Sequence, residues 1–390
     1  MLLSIFLLLS ILAGELIKFP LSGNLGPTLL DLAVFLLSLI GIIKLKFKLK
    51  KPPLSLNLGL LFVLVCLLSL IFTPLHLQAI EYLVSFSYTV RFLLYLIFAL
   101  VLFTGAFPNV KKNISQTLMF SGVGIAILGL LQFIFLPDLS FLQSSGWDPH
   151  YFRTVSTFLD PNFAGAFFVL TLMLLIRHSR CLFCHSRECG NLIKNKILIF
   201  IPVYLALLTT FSRSSYAMFL FSGLTLSFLK KSKTLFFSIL LLFLLLLLGF
   251  QIYAQLVAKP RGVDRAQSAS FRLDTWQDGL EIFRKSPILG VGFNAYKYAV
   301  REYNLENKQF LGSRGSSTND SSLLYTLATT GIVGLVIYIF FLLSLVKRSK
   351  NNQLLMAAII GLLPHSFFAN SLFYPFILIW IFLKEIDTES

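Results

Sequence analysis

Apolar runs long enough to cross a bilayer recur from one end of this chain to the other, and that repetition limits its fold more than any single motif does. A helix crossing about 30 Å of hydrocarbon needs roughly 20 apolar residues, because each backbone polar group must be satisfied within the segment. About twelve segments qualify, near 2–19, 27–43, 54–73, 86–106, 114–136, 162–176, 197–211, 214–229, 234–253, 321–346, 353–369 and 371–383. Hydrophobic residues make up 56% of the 390 and charged residues only 13%, far from a soluble domain. The expectation is an all-α polytopic membrane protein of about 12 transmembrane helices. The first segment has neither a basic n-region nor a small-x-small cleavage site, so it reads as a retained helix.

Short loops rich in Lys and Arg stay in the cytoplasm. Lys44 to Lys51 follow the second segment, Lys111 and Lys112 the fourth, and Arg177 to Lys196 the sixth; Lys230, Lys231 and Lys233 follow the eighth, and Lys347, Arg348 and Lys350 the tenth. The alternate loops 20–26, 74–85, 137–161 and 210–213 hold only Arg153 and Arg213 among their arginines and lysines. Both termini are therefore expected to be cytoplasmic and segment 254–319 to face outward. This gives spans 1–9 over residues 1–253, an extracytoplasmic loop domain over 254–319, and spans 10–12 with a tail over 320–390. The net charge of +16 is then a topology signal. It does not imply nucleic acid, since no basic face interleaved with aromatics is present.

Cys66 lies in the third segment and the other three cysteines in a predicted cytoplasmic loop, so no disulfide is expected. Cys181 and Cys184 have the spacing of zinc ligands, but His185 follows directly and Cys189 is offset. A tolerated insertion explains that loop better. In the outward segment, Phe271, Trp276, Leu280 and Phe283 recur at helical spacing with Asp274, Asp278 and Glu281 between them, which predicts an amphipathic helix on the membrane surface or against the bundle. Pro287, Gly290 and Gly292 end it.

Arginine at the edge of hydrocarbon is costly and by default marks a functional site. Arg213 sits between two apolar stretches and Arg272 in the long polar segment. Two guanidiniums at one membrane face fit a grip on phosphate, which the planar fork binds bidentately and lysine cannot. The plainer alternatives are headgroup contact for Arg213 and an ion pair with Asp274 or Asp278 for Arg272. Arg91, inside the fourth segment, is expected to face the bundle interior, paired with Glu81 or another acid or guiding an anionic lipid.

Four pieces together resemble the O-antigen ligase and polymerase superfamily: the Thr157–Gly165 turn, the Thr210–Ser214 edge, the Arg272–Gly292 segment with Trp276, and Leu323 through Leu335. The resemblance implies a GT-C-like, metal-independent glycosyltransferase with no cofactor, in the bacterial inner membrane. Its partners would be the bilayer, an undecaprenyl-diphosphate-linked glycan donor and a glycan or glycolipid acceptor. Arg213 and Arg272 match the two arginines that hold the lipid diphosphate while an acceptor hydroxyl attacks the anomeric carbon.

The chain departs from the ligase pattern at the acceptor base. Ligases carry a His-Asn pair ahead of the span that resembles Leu323–Leu335, whereas here Asn319 and Asp320 occupy those places. Asparagine cannot take a proton, so Asp320 is the candidate base, provided burial raises its pKa; its plain reading is an N-cap of the next helix. Asn162, with Asp160, is expected to cap the sixth span and to meet the sugar. His150 in the outward 147–151 segment and His365 in the eleventh span are further candidate bases, and Asn319 and His150 candidate substrate contacts. Two other classes remain open: a transporter or flippase of an anionic lipid-linked glycan, and a noncatalytic assembly factor.

Overall fold

The computed structural model describes residues 2–19, 26–178, 190–261, 267–306, 311, 314–348 and 352–387. Cys181, Cys184 and Cys189 lie outside them; Cys66 is buried and free. Among the described residues the protein is helical throughout, with two isolated bridges in place of strands. Each of the twelve apolar segments falls on a helix. The helices are α1 (Leu2–Ala13), α2 (Leu29–Lys44), α3 (Leu54–Ile71), α4 (Ala79–Thr104), the short α5 (Pro108–Lys112), α6 (Ile114–Phe135), α7 (Pro161–His178), α8 (Gly190–Thr210), α9 (Arg213–Leu229) and α10 (Lys233–Tyr253). Then come α11 (Gln267–Lys285) and α12 (Tyr296–Glu302) of the polar segment, followed by α13 (Ser322–Arg348), α14 (Gln353–Ser366) and α15 (Pro375–Ile386). By length and composition α3, α4, α6, α10 and α13 can cross a membrane.

Two boundaries differ from the sequence reading for identifiable reasons. Helix α4 begins at Ala79 rather than near 86, because Gln78 and Glu81 form a capping box and Glu81 is paired with Arg301 of α12. The last helix begins at Pro375, preceded by a 3₁₀ turn over Ser371–Phe373; proline suits the first helical position because its missing N–H would have no partner there.

The core is one continuous apolar cluster in which α7 and α15 are buried almost all round. Arg91 projects from α4 into it and finds Asp31 of α2, not Glu81: its Nε donates to Asp31 Oδ1 at 2.8 Å, its Nη2 pairs with Oδ2, and the Tyr95 hydroxyl donates to the same carboxylate at 3.1 Å. Pairing with a carboxylate is what makes this interior guanidinium tolerable.

Helix α13 breaks at Gly331, where φ is 66° and ψ is −168°. The 287–292 segment enters the break and takes over its hydrogen bonds. Val291 N donates to Ala328 O (3.1 Å), Gly292 N to Thr329 O (3.0 Å) and Ile332 N to Pro287 O (2.9 Å). A Cβ on Gly331 would stand 2.1 Å from Ile288 O, and one on Gly290 2.4 Å from the Thr329 carbonyl carbon, so the crossing requires glycine on both sides. Two of the four pieces that carry the family resemblance thus lock together, fixing α11 to α13.

The predicted amphipathic helix is α11, and it packs on the bundle. Its buried seam is Thr275, Gly279 and Ile282, while Leu280 is exposed. Trp276 flanks the seam, stacked on Phe368 with its Nε1 donating to Phe367 O at 3.1 Å.

Candidate active site

Two chain turns form one wall. At the start of α7, Asp160 Oδ1 accepts from Asn162 N (2.6 Å) and Phe163 N (3.1 Å), so Asp160 caps the helix. Between α8 and α9 the chain reverses through Phe211, at φ 48°, whose ring lies flat on Tyr253 at 4.0 Å. Ser212 caps α9 and donates from Oγ to Asn162 Oδ1 at 2.8 Å. The Asn162 carbonyl accepts from Ser215 Oγ (3.1 Å) and lies 3.2 Å from His365 Nε2 at the end of α14. Asn162 is therefore a junction between α7, α9 and α14.

Arg213 is the first residue of α9, exposed, with its guanidinium over the Phe250 ring at 5.8 Å. Behind it lies Arg153, which sequence reasoning passed over. Arg153 is 8% exposed, and its Nε donates to Thr210 O at 2.8 Å, closing the C-terminus of α8. Its being one of only two cations in the short alternate loops was the available signal.

The opposite wall is the α11–α13 pair. Asn319 is fully buried. Its Oδ1 accepts from Ser321 N at 2.8 Å, and its Nδ2 donates to Thr275 O and, at 3.0 Å, to Tyr296 OH. Both amide hydrogens are spent within the protein, so the geometry gives Asn319 the work of holding α11 against the start of α13. Gly279 permits the approach, since a Cβ there would lie 2.9 Å from Asn319 Nδ2.

Asp320 follows in the loop ahead of α13. The N-cap role expected for it falls to Ser321, whose Oγ accepts from Leu324 N at 3.4 Å. Its neighbour is Arg272, with Nε 3.9 Å from Oδ2; this, and not Asp274 or Asp278, is the acid that the structure brings to Arg272. Burial pushes the Asp320 carboxyl up to about 6; the Arg272 guanidinium pulls it down, and Asp160 and Asp148 raise it. The side chain keeps 39% of its surface accessible. Burial likewise raises the Asp148 carboxyl, with Asp160 adding to it and Arg153 opposing. Arg272 also lies over Phe368 at 6.0 Å.

His150 is buried in the loop joining α6 to α7, where its carbonyl accepts from Leu139 N at 3.0 Å. The structure thus gathers Arg272, Asp320, Asp160 and Asp148 by charge, and Asn162, Ser212, Ser215 and His365 by hydrogen bonds, with Arg213 on the same turn as Ser212. All lie at one end of the bundle. Arg177, Lys230 and Asn352 meet at the other end of the same helices, where Arg177 donates to Asn352 (3.1 Å) and Lys230 to Ile176 O (3.1 Å). Among the described residues no group of three His, Cys, Asp or Glu is arranged to hold a metal ion.

Residues 197–339 match the family model described as O-antigen ligase. That stretch contains Arg213, Arg272, Asn319 and Asp320; Asn162, His150 and His365 lie outside it. No curated protein was found to match the chain. The match spans 143 of the 390 residues, and over that segment the chain is similar to the O-antigen ligase family.

Proposed function

We propose that this protein is a metal-independent membrane glycosyltransferase that transfers or polymerises a glycan from an undecaprenyl-diphosphate donor at the outer face of the bacterial inner membrane. In this reading the fold is GT-C-like with about 12 spans, both termini are cytoplasmic, and segment 254–319 is an outward cap that closes on the donor. One observation supports it above the others: Arg272 stands 3.9 Å from Asp320, at the end of the bundle that also carries Arg213. At that distance the guanidinium's donors are not committed to the carboxylate.

The chemistry follows from these groups. The acceptor hydroxyl oxygen forms a bond to the anomeric carbon, the bond from that carbon to the diphosphate oxygen breaks, and its electron pair leaves on the diphosphate. The hydroxyl proton passes to the Asp320 carboxylate. Charge builds on the leaving group, where preorganised guanidiniums outside bulk water stabilise it. A carboxyl near 6 is largely ionised at neutral pH yet more basic than an ordinary aspartate. Asn162 and His150 would contact the sugars, and Asn319 would position Asp320 and α11.

Reconstitution with a labelled lipid-diphosphate glycan and candidate acceptors tests the proposal. A transferase releases lipid diphosphate and yields a lengthened or transferred glycan. A flippase would change only the leaflet of the label, and an assembly factor would do neither; either result refutes the reading.

A further inference from the structure

Helix α11 has three sides of different chemistry. At about 100° per residue, Thr275, Gly279 and Ile282 share the side buried against α13. Asp274, Asp278 and Glu281 share a second side, and Leu273, Trp276, Leu280 and Phe283 a third. Packing accounts for the first, and water suits the acids. Among the described residues the third is left open: Leu273 and Leu280 are exposed, and the Trp276 ring rests on Phe368, itself exposed.

Contacts to two other helices fix the depth at which this side ends. Past α11 the chain turns through Pro287 and Ile288, and α13 joins it there, Ile332 N donating to Pro287 O at 2.9 Å and Val333 N to Ile288 O at 3.4 Å. A few residues on, Thr73 Oγ1 donates to Val291 O at 2.5 Å and Phe293 N to Ser69 Oγ at 3.0 Å. Residues 287–293 therefore lie level with the end of α3. That helix has 18 residues and is apolar enough to cross a membrane, so its end marks the edge of the hydrocarbon. At this level Ile288 is 66% exposed, and so are Ile71 (62%) and Phe72 (64%) at the end of α3. Below it, exposed Ile332, Val336 and Ile339 run down one side of α13, the side a spanning helix turns to lipid. The corner at Ile288 is thus continuous with a lipid-facing surface.

We infer that α11 is a lipid-contacting helix that lies at the bilayer surface, with Leu273, Leu280 and Ile288 in the headgroup and acyl boundary, the acids toward water and the seam against α13. Helices with one apolar and one charged side occupy the interface in this way, and an indole that donates its N–H to a carbonyl, as Trp276 does to Phe367, suits that depth. The leaflet is the outer one on the topology proposed above; the inference rests on that membrane placement and not on the transfer chemistry. Arg272 directly precedes Leu273 on this helix, so contact with lipid sets its height at the headgroups, where the phosphates of a lipid-borne substrate lie.

The test places an environment-sensitive nitrobenzoxadiazole label on single cysteines of the full chain, with Cys181, Cys184 and Cys189 replaced by serine and the buried Cys66 kept. The labelled chains are reconstituted in phosphatidylcholine nanodiscs that contain nitroxide lipids, and those that melt like the parent are compared. Leu280→Cys and Ile288→Cys are the probes; Asp274→Cys, on the acidic side, and Phe340→Cys, on the exposed side of α13, are the references. Labels at 280 and 288 should emit at shorter wavelength than the label at 274. They should be quenched severalfold more strongly than it by a nitroxide near the top of the acyl chain, whereas the label at 340 should respond best to one at the chain's middle. A label at 280 or 288 that behaves like the one at 274 overturns the inference. Blue-shifted labels that lipid nitroxides do not quench overturn it as well, because a second copy of the chain then covers this side. Loss of quenching at 340 too would sink the span assigned to α13 and the inference with it. A chain that shows the expected quenching but transfers no glycan keeps the inference and loses the transferase reading.

Discussion

Replacing Gly331 by alanine should do more damage than its size implies. The residue sits at φ 66°, ψ −168°, a region essentially restricted to glycine that costs a side chain about 1–3 kcal/mol. The new Cβ would lie 2.1 Å from Ile288 O and 2.6 Å from Leu289 N, and that peptide must retreat by about 0.9 Å to reach even 3.0 Å. Retreat loosens the bonds from Ile332 N to Pro287 O and from Val333 N to Ile288 O, each contributing about 1 kcal/mol. The total is about 3–5 kcal/mol. Because Pro287 is two residues past the end of α11, the shift reaches Arg272 and Asp320, and a displacement of this order can slow a reaction about 10²-fold. Gly105→Ala is the control: Gly105 also has positive φ (97°), but nothing lies within 4 Å of its added Cβ. Positive-φ strain is common to both variants, so the loosened bonds, about 2 kcal/mol, set the difference, and melting in detergent should place Gly331→Ala about 4 °C or more below Gly105→Ala, at roughly 2 °C per kcal/mol. Equal melting temperatures would show that the 287–292 segment does not fill the break in α13.

Three further outcomes follow from the same geometry. Asp320 acts as a base only when ionised, so transfer should rise through about pH 6 and level off above it, and a pH–rate profile of Asp320→Asn should lose both that rise and about 10²-fold or more of the rate; a parent-like profile in the variant excludes Asp320 as the base. Asn319→Ala removes a donor from Thr275 O and from Tyr296 OH and leaves Ser321 N without its acceptor, so it should cost about 1–3 kcal/mol in a thermal melt, and unchanged melting would argue against its positioning role. Asp31→Asn leaves Arg91 without its counter-charge and should destabilise by about 3–5 kcal/mol, whereas Asp31→Leu combined with Arg91→Met should recover most of the loss; no recovery would mean that the pair does more than satisfy itself.

Much of the architecture was legible because hydrocarbon imposes one long-range rule on sequence, and each apolar segment became a helix. Local polar chemistry was legible too, as in the Asp160 cap on α7. What escaped depended on residues far apart in the chain or on small residues. The buried seam of α11 consists of Thr275, Gly279 and Ile282, and neither threonine nor glycine registers in an apolar pattern, whereas Leu280, which does, is exposed. Asp31 stands 60 positions from Arg91, and nothing local names it as partner in preference to the nearer Glu81. The break at Gly331 is silent in hydropathy because the 287–292 segment satisfies the freed backbone. At the site, sequence named Arg272 and Asp320 separately; their approach arises from Asn319 and Gly279, whose roles only packing reveals.

The central claim is that guanidiniums at this end of the bundle grip a lipid diphosphate while a bond to the glycan is exchanged. The most direct measurement is single-turnover transfer from a labelled undecaprenyl-diphosphate glycan by reconstituted Arg213→Lys and Arg272→Lys variants that melt like the parent. A point charge without the fork should lower the rate of each by about 10²-fold or more. Parent-like turnover in both would contradict the account.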